Sequence, residues 1–365
     1  MAVGDQARGA RPVTTASAVG SASETAGNWL TAIPGSYWIV GLVLIFMPAI
    51  ASGFVLYQIL GWAFILGMIA LSLMFLAGYG GMVSLAQMSV AALAGYMVAI
   101  LGTSGVHAIS LGWPWWLYVP VAIIIAGIFG TLTGALAVRT EGIYTIMITL
   151  AIAAAFFYFT RQNYAIFNGY SGFASIFPPE LFGVDWRQPI PFYYLTLFCA
   201  AGSYLAVLYV ARSPFGLALQ GVRDNPRRMA ALGFNVVAHR IAAYTFASVI
   251  AAIAGILLVW QNAQISPGTA GIPAVIDILV IAIVGGIGRP IGPFIGALIY
   301  VVLRTYSPDV LEGFGLSGER FKTLIGLGFL AVVFWSPDGI LGLWNRYRDR
   351  LRGKTDPLLG ERERS

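Results

Sequence analysis

The sequence predicts an all-α protein, a polytopic bundle of membrane-crossing helices, and three observations predict it. No Lys, Arg, Asp or Glu occurs between Glu24 and Arg139, so a stretch long enough for several crossings would expose no formal charge to lipid. Charged residues make up 10% of the 365-residue chain, where a soluble domain carries about 25%, and the mean hydropathy is +0.81. Apolar runs of about 20 residues recur, the length that crosses a hydrocarbon core roughly 30 Å thick. The 44 glycines fit helices that approach closely at small residues, because lipid gives no hydrophobic drive for helices to associate.

Residues 1–35 are rich in Ala, Gly, Ser and Thr with Arg8 and Arg11 among them, and read as a disordered cytoplasmic tail. They do not read as a secretory leader, because the first apolar run opens near Tyr37 and is long enough to span. Membrane segments are expected at 37–56, 60–78, 86–102, 115–138, 142–160, 191–211, 241–262, 273–285, 293–304 and 321–339. That gives about eight to ten segments in one transmembrane domain, 36–344, because 273–285 and 293–304 are too short to cross alone as straight helices. Residues 345–365 form a second polar tail.

Orientation follows from the arginines. The loop 212–240 carries Arg212, Arg223, Arg227, Arg228 and Arg240 against Asp224 alone, and the tail adds Arg346, Arg348, Arg350, Arg352 and Lys354. Both belong in the cytoplasm by the positive-inside rule, and tracing the segments puts Arg139 and Arg289 on the same side, with both termini. The residues 161–190 then face outward. Their Tyr164, Tyr170 and Trp186, with Tyr193, Trp113, Trp115 and Trp116 nearby, fit an interfacial aromatic belt or core packing.

Two glycine breaks interrupt apolar runs in similar ways, Gly78-Tyr79-Gly80-Gly81 and Gly285-Gly286-Ile287-Gly288-Arg289-Pro290. Backbone freed by such breaks is tolerated only inside protein or beside a water-lined cavity, and paired broken helices commonly mark a translocation path. Gly80, Gly81, Ser84, Gln87, Ser89, Gly285 and Gly286 are therefore path candidates; close helix packing is the alternative role of the glycines. Asp277 joins them. An ionised carboxylate facing lipid costs roughly 2.5 to 3.5 kcal/mol even on insertion scales, so Asp277 should face the bundle, either as a helix N-cap or as a hydrogen-bonding group of a gate.

No catalytic constellation emerges. Gly353-Lys354-Thr355 mimics the end of a phosphate loop, but Arg348 stands where the required glycine would be. The single Cys199 and the separated His107 and His239 offer neither a disulfide framework nor a metal cluster, and the basic tail reads as a membrane-surface feature rather than a nucleic-acid site. The informative segment is the loop. Asp224 or Asn225 can cap a short helix, Pro226 suits its first turn and Gly233 its left-handed end, which predicts one two-turn helix over 224–233. That helix is either a topological anchor or a knob that docks into another subunit.

Met229-Ala230-Ala231 with Leu232-Gly233 resembles the coupling loop of ABC importer permeases, and Ser213-Pro214-Phe215-Gly216, Arg223-Asp224-Asn225 and Ala230 to Asn235 are similar to branched-chain amino acid permeases of the LivM type. The resemblance covers about 40–345 and includes Gly78 to Gly81 with Ser84-Leu85, Arg139 with Gly142-Ile143-Tyr144, Thr149-Leu150, Asn168-Gly169 with Gly172, Gly285 to Gly288 with Gly292-Pro293, and Ser336-Pro337-Asp338-Gly339. It implies an inner-membrane permease subunit that pairs with a second, homologous permease, two ATPase subunits that bind ATP and Mg, and a periplasmic binding protein. It implies no cofactor on this chain. By the same resemblance Arg223, Asp224, Arg227, Arg228, Met229, Ala230, Ala231 and Gly233 form the coupling element. The chain departs from the family pattern at Met82 and Gln87, where glutamine and histidine are frequent, and at Met229, which replaces the glutamate of the general coupling motif. The expected function is uptake of branched-chain or related amino acids. Importers of urea, short amides or aromatic acids share the architecture, and an ion-coupled secondary transporter would need more titratable groups than Asp277 within the bundle.

Overall fold

The computed structural model describes residues 35–140, 142–180, 183, 185–313 and 326–327. Their regular secondary structure is helical apart from one two-residue strand pair. The expected segment 321–339 and the tails 1–34 and 345–365 lie outside the described residues, 326–327 excepted.

Helix α1, Gly35–Phe46, and the described residues up to Ile50 belong to a unit separate from the one that starts at Ala51. The single segment expected over 37–56 does not form. Pro48 lies in a 3-10 turn at Met47–Ala49 directly after α1, and the next helix starts beyond Ala51, where the second unit begins.

The second unit is built around α2, Val55–Tyr79, which is α-helical over Trp62–Met74 and π-helical over Val55–Gly61 and Phe75–Tyr79. It is followed by α3 (Gln87–Leu101), α4 (Trp115–Ala137), α5 (Ile143–Gln162), the single turn α6 (Tyr164–Phe167), α7 (Pro189–Arg212), α8 (Pro214–Asp224), α9 (Pro226–Ala231), α10 (Val236–Asn262), α11 (Ile272–Gly285) and α12 (Gly292–Gly313). Five of these, α2, α4, α5, α7 and α10, are long and apolar enough to cross a membrane. Their burial sorts them. The most apolar window of α2 is 94% buried and that of α5 and of α7 28%, so α2 is an interior helix and the other two turn most of their surface outward, as lipid-facing helices do.

Helix α10 packs along α3, α4 and α2, and α12 packs along α2 and α11. Small residues set these distances. A Cβ on Gly255 of α10 would meet the backbone of Ala91 in α3, and one on Gly67 of α2 would lie 2.6 Å from Phe294 of α12, the close approach that helix packing in lipid relies on.

Helix α12 is longer than its apolar stretch, which stops at Arg304: the helix runs 22 residues to Gly313, because backbone hydrogen bonding does not stop where hydropathy falls, but it is not among the helices long and apolar enough to cross. Helices α3 and α11 remain short, at 15 and 14 residues. At the end of the bundle opposite α8 and α9, β1 (Phe173–Ala174) pairs antiparallel with β2 (Gln264–Ile265), which follows α10. The Asn168-Gly169…Gly172 motif makes the turn before β1: Asn168 sits at φ 55° and its Nδ2 donates to the Gly172 carbonyl at 2.6 Å. Of the outer aromatics, Tyr164 and Tyr170 are exposed and Tyr193 is fully buried, so belt and core positions are both taken.

Candidate functional site

The loop 212–240 folds as a chain of capped helices. Ser213 Oγ accepts from Gly216 N at 3.3 Å and Pro214 occupies the first turn, which starts α8. Asn225 Oδ1 accepts from Arg228 N at 2.9 Å with Pro226 behind it, which starts α9. Asn235 Oδ1 accepts from Ala238 N at 3.0 Å and starts α10. Each cap satisfies a backbone donor that the first helical turn leaves free. Gly233, at φ +89°, ends the turn after α9, where Phe234 N donates to the Met229 carbonyl at 3.1 Å.

The expectation of one helix over 224–233 is thus corrected in part. Asn225 is the cap; Asp224 closes α8 and pairs with its neighbour, Arg223 Nε to Oδ1 at 2.9 Å. Helix α8 is an element the sequence reading misses, although Ser213-Pro214 carries the same cap-plus-proline signal as Asn225-Pro226. Met229 faces inward: a Cβ on Gly221 of α8 would lie 2.8 Å from its Sδ, so it holds α9 to α8. Arg227, Arg228, Ala230, Ala231 and Gly233 are exposed. Leu217, Leu232, Phe234 and Val237 add large exposed apolar side chains at this end.

Arg223 joins the loop to the bundle. Its guanidinium donates to the Gly78 carbonyl at the end of α2. Gly81, at φ +67°, lies under the Arg223 side chain, where a Cβ would be 2.6 Å from Cγ. Gly80 faces Met82 and the buried Leu219 of α8. The second break closes the arrangement, because a Cβ on Gly78 would lie 2.6 Å from the Ile287 carbonyl oxygen. Two segments roughly 200 residues apart in sequence therefore meet, and α8 sits on the junction. A cleft of about 510 Å³ opens there, lined by Tyr79, Arg212, Gln220, Gly288, Arg289 and Pro290 among others.

The remaining path candidates are buried. Ser84 and Ser89 are fully buried and Gln87 is 1% exposed, so among the described residues they line no open channel. Gln87 accepts from Ser72 Oγ of α2 at 3.3 Å, and the backbone of Leu85 donates to Thr149 of α5 at 3.1 Å. Ser84 and Tyr244 of α10 lie side by side without hydrogen-bond geometry, and the hydroxyls of Ser84, Ser89 and Tyr244 have no partner among the described residues. Buried polar groups left unpaired are costly, so this is a place where a second arrangement, with water admitted, gains hydrogen bonds.

Gly285 and Gly286 stand where α11 turns into α12. A Cβ on Gly285 would run into the Gly292 carbonyl and one on Gly296 into the Ile281 carbonyl, while Gly286 has φ +103°. Asp277 is not an N-cap: Gly271 holds that position in α11, and Asp277 lies in the second turn. It lies beside the buried Tyr300 of α12, with Arg304 close enough to act on the same pair. Sequence reading misses Tyr300, and also the π-helical start of α2, where Tyr57 and Gln261 exchange hydrogen bonds at 2.8 and 2.6 Å. Such π turns frequently occur at functional sites.

The architecture is that of a multi-pass helical membrane protein whose broken helices meet under a basic helical loop. The family model described as branched-chain amino acid transport system / permease component matches residues 55–333, and the chain belongs to that family. It is 24% identical over 338 residues to the LivM permease protein of the high-affinity branched-chain amino acid transport system of Salmonella typhimurium, covering 86% of this chain and 73% of that one. The Escherichia coli LivM protein is 24% identical over 80% of this chain and 69% of its own. A ribose import permease, RbsC of Haemophilus influenzae, is 22% identical over 56% of this chain and 64% of its own. No solved structure matches the chain.

Proposed function

We propose that this chain is one transmembrane half of an ATP-driven importer in the bacterial inner membrane, and that it passes branched-chain or related amino acids. Two ATPase subunits carrying ATP and Mg, a second permease and a periplasmic binding protein complete the complex, and α8 and α9 face the cytoplasm with both termini. The observation that carries this reading is Arg223: one residue of the exposed basic loop is bonded to Gly78, which abuts the second break at Ile287, so a push on the loop reaches both broken segments directly. The relatives named for branched-chain amino acid transport support the substrate class.

The test is reconstitution with the partner subunits and the binding protein, followed by uptake of labelled leucine, isoleucine and valine beside urea, a short amide and an aromatic acid. ATP-dependent uptake of the aliphatic amino acids is expected. Uptake of only one of the other solutes reassigns the substrate, and uptake that continues without ATP but stops with a protonophore replaces the class by a secondary transporter.

Alternating access gives the buried serines a second prediction. Cysteines at Ser84, Gln87 or Ser89, in a Cys199→Ala background, should be inert to small aqueous thiol reagents at rest and reactive during turnover. Inertness of all three under turnover removes them from the path.

At Asp277, Asn keeps an oxygen that can accept from Tyr300 but removes the charge beside Arg304. Asp277→Asn is expected to express normally and to take up substrate several-fold more slowly, as a charged gate group requires. Normal uptake by both Asp277→Asn and Asp277→Ala at wild-type expression would dismiss the gate role.

A further inference from the structure

The cleft where the two breaks meet the loop has a chemistry that the uptake cycle leaves unused. Its basic side chains come from two elements, Arg212 at the end of α7 and Arg289 in the second break; Gln220 and Tyr79 add polar groups, and Leu208 and Leu217 form apolar wall. Among the described residues no carboxylate lines it. Gln220 spends its amide N–H on the Ala211 and Gly216 carbonyls at 3.1 and 3.3 Å, which fixes that wall in place. The position is at the membrane's edge, because Leu208 is in the last turns of the apolar α7 and Arg212 is its final residue.

We propose that this cleft binds the headgroup of an anionic phospholipid, with Arg212 and Arg289 on its phosphate and the first methylenes of the lipid along Leu208 and Leu217. Guanidinium groups match phosphate oxygens with paired hydrogen bonds, and basic pockets between helices on the cytoplasmic side are a recurring form of lipid recognition. The apolar wall selects a lipid over free phosphate. A bound headgroup ties the second break to the end of α7 and the start of α8, so it stiffens the path from loop to broken helices. The inference rests on the proposed importer function for its consequence in uptake, but the binding itself does not.

The test uses the full-length chain in detergent, with phospholipid retained through washing counted by native mass spectrometry. Wild type should retain phosphatidylglycerol in preference to phosphatidylethanolamine, and inorganic phosphate at about 10 mM, enough to compete at a site of roughly millimolar phosphate affinity, should not displace it. Arg212→Gln with Arg289→Gln should lower that preference by a factor of about ten to thirty, the range for two arginines near an anionic surface. Arg212→Lys with Arg289→Lys keeps the charges without the forks and should recover part of it. In the assembled importer, wild-type uptake should be faster in vesicles containing phosphatidylglycerol than in phosphatidylethanolamine alone, and the Gln pair should lose that difference. Equal retention of both lipids by wild type overturns the proposal, as does displacement by phosphate. So does a Gln pair that keeps lipid selectivity but releases the ATPase subunits, which would make the cleft a protein contact. Failed uptake with intact lipid selectivity in wild type counts against the importer reading alone.

Discussion

Ala231→Trp is expected to abolish uptake and to detach the ATPase subunits while the chain still inserts and folds. Ala231 is exposed at the end of α9, so nothing in this chain opposes an indole there, and its helical backbone accepts any L residue. A docked partner would not. An indole reaches several ångströms past a methyl, and overpacking of that kind costs about 1 to 3 kcal/mol or more, or roughly a fivefold to more than hundredfold loss of association. Gly233 is a poorer probe: a side chain there has open space, but φ +89° strains any L residue, so a lost activity would not distinguish docking from local distortion. Affinity co-purification of the ATPase subunits with tagged Ala231→Trp, beside a membrane-insertion assay, checks the prediction. Full uptake with the ATPase attached would free α9 from the coupling role and leave it a topological anchor.

The same loop shows what the sequence can and cannot reveal. Asn225, Pro226 and Gly233 act locally, through one side-chain cap, one fixed φ and one positive φ, so their pattern is readable without the fold. Ser213-Pro214 carries an equal signal for α8, but apolar α8 residues such as Leu219 and Val222 mingle with polar ones, and a search for membrane spans passes over such a segment. Hydropathy makes the first apolar run look longer than α1, because it passes smoothly over Pro48 and Gly53 while backbone geometry does not. The junction itself has no sequence signature. Gly78 and Ile287 touch only because α2 packs against α10, α11 and α12, and Arg223 reaches Gly78 only because α8 folds back over that end. Asp277 is legible as a group needing a partner; that the partner is Tyr300, one helix later, depends on the α11–α12 pairing.

Gly285→Ala should lower the melting temperature of the purified chain, while Gly288→Ala should leave it unchanged. Alanine in place of glycine ordinarily helps a helix by up to about 1 kcal/mol, so a penalty at Gly285, the last residue of α11, must come from contact. That contact is with backbone: the added Cβ meets the Gly292 carbonyl at the start of α12, and neither helix can yield without moving the other. An overpacking cost of about 1 to 3 kcal/mol exceeds the propensity gain. Gly288, in the same break, would have no heavy atom within 4 Å of an added methyl, and it lines the basic cleft. The pair therefore separates the two roles open to the break glycines. A folded Gly288→Ala with slowed uptake places that stretch in the working path, whereas a Gly285→Ala that melts with wild type would show that α11 and α12 do not depend on this close approach and that the packing role of Gly285 is wrong.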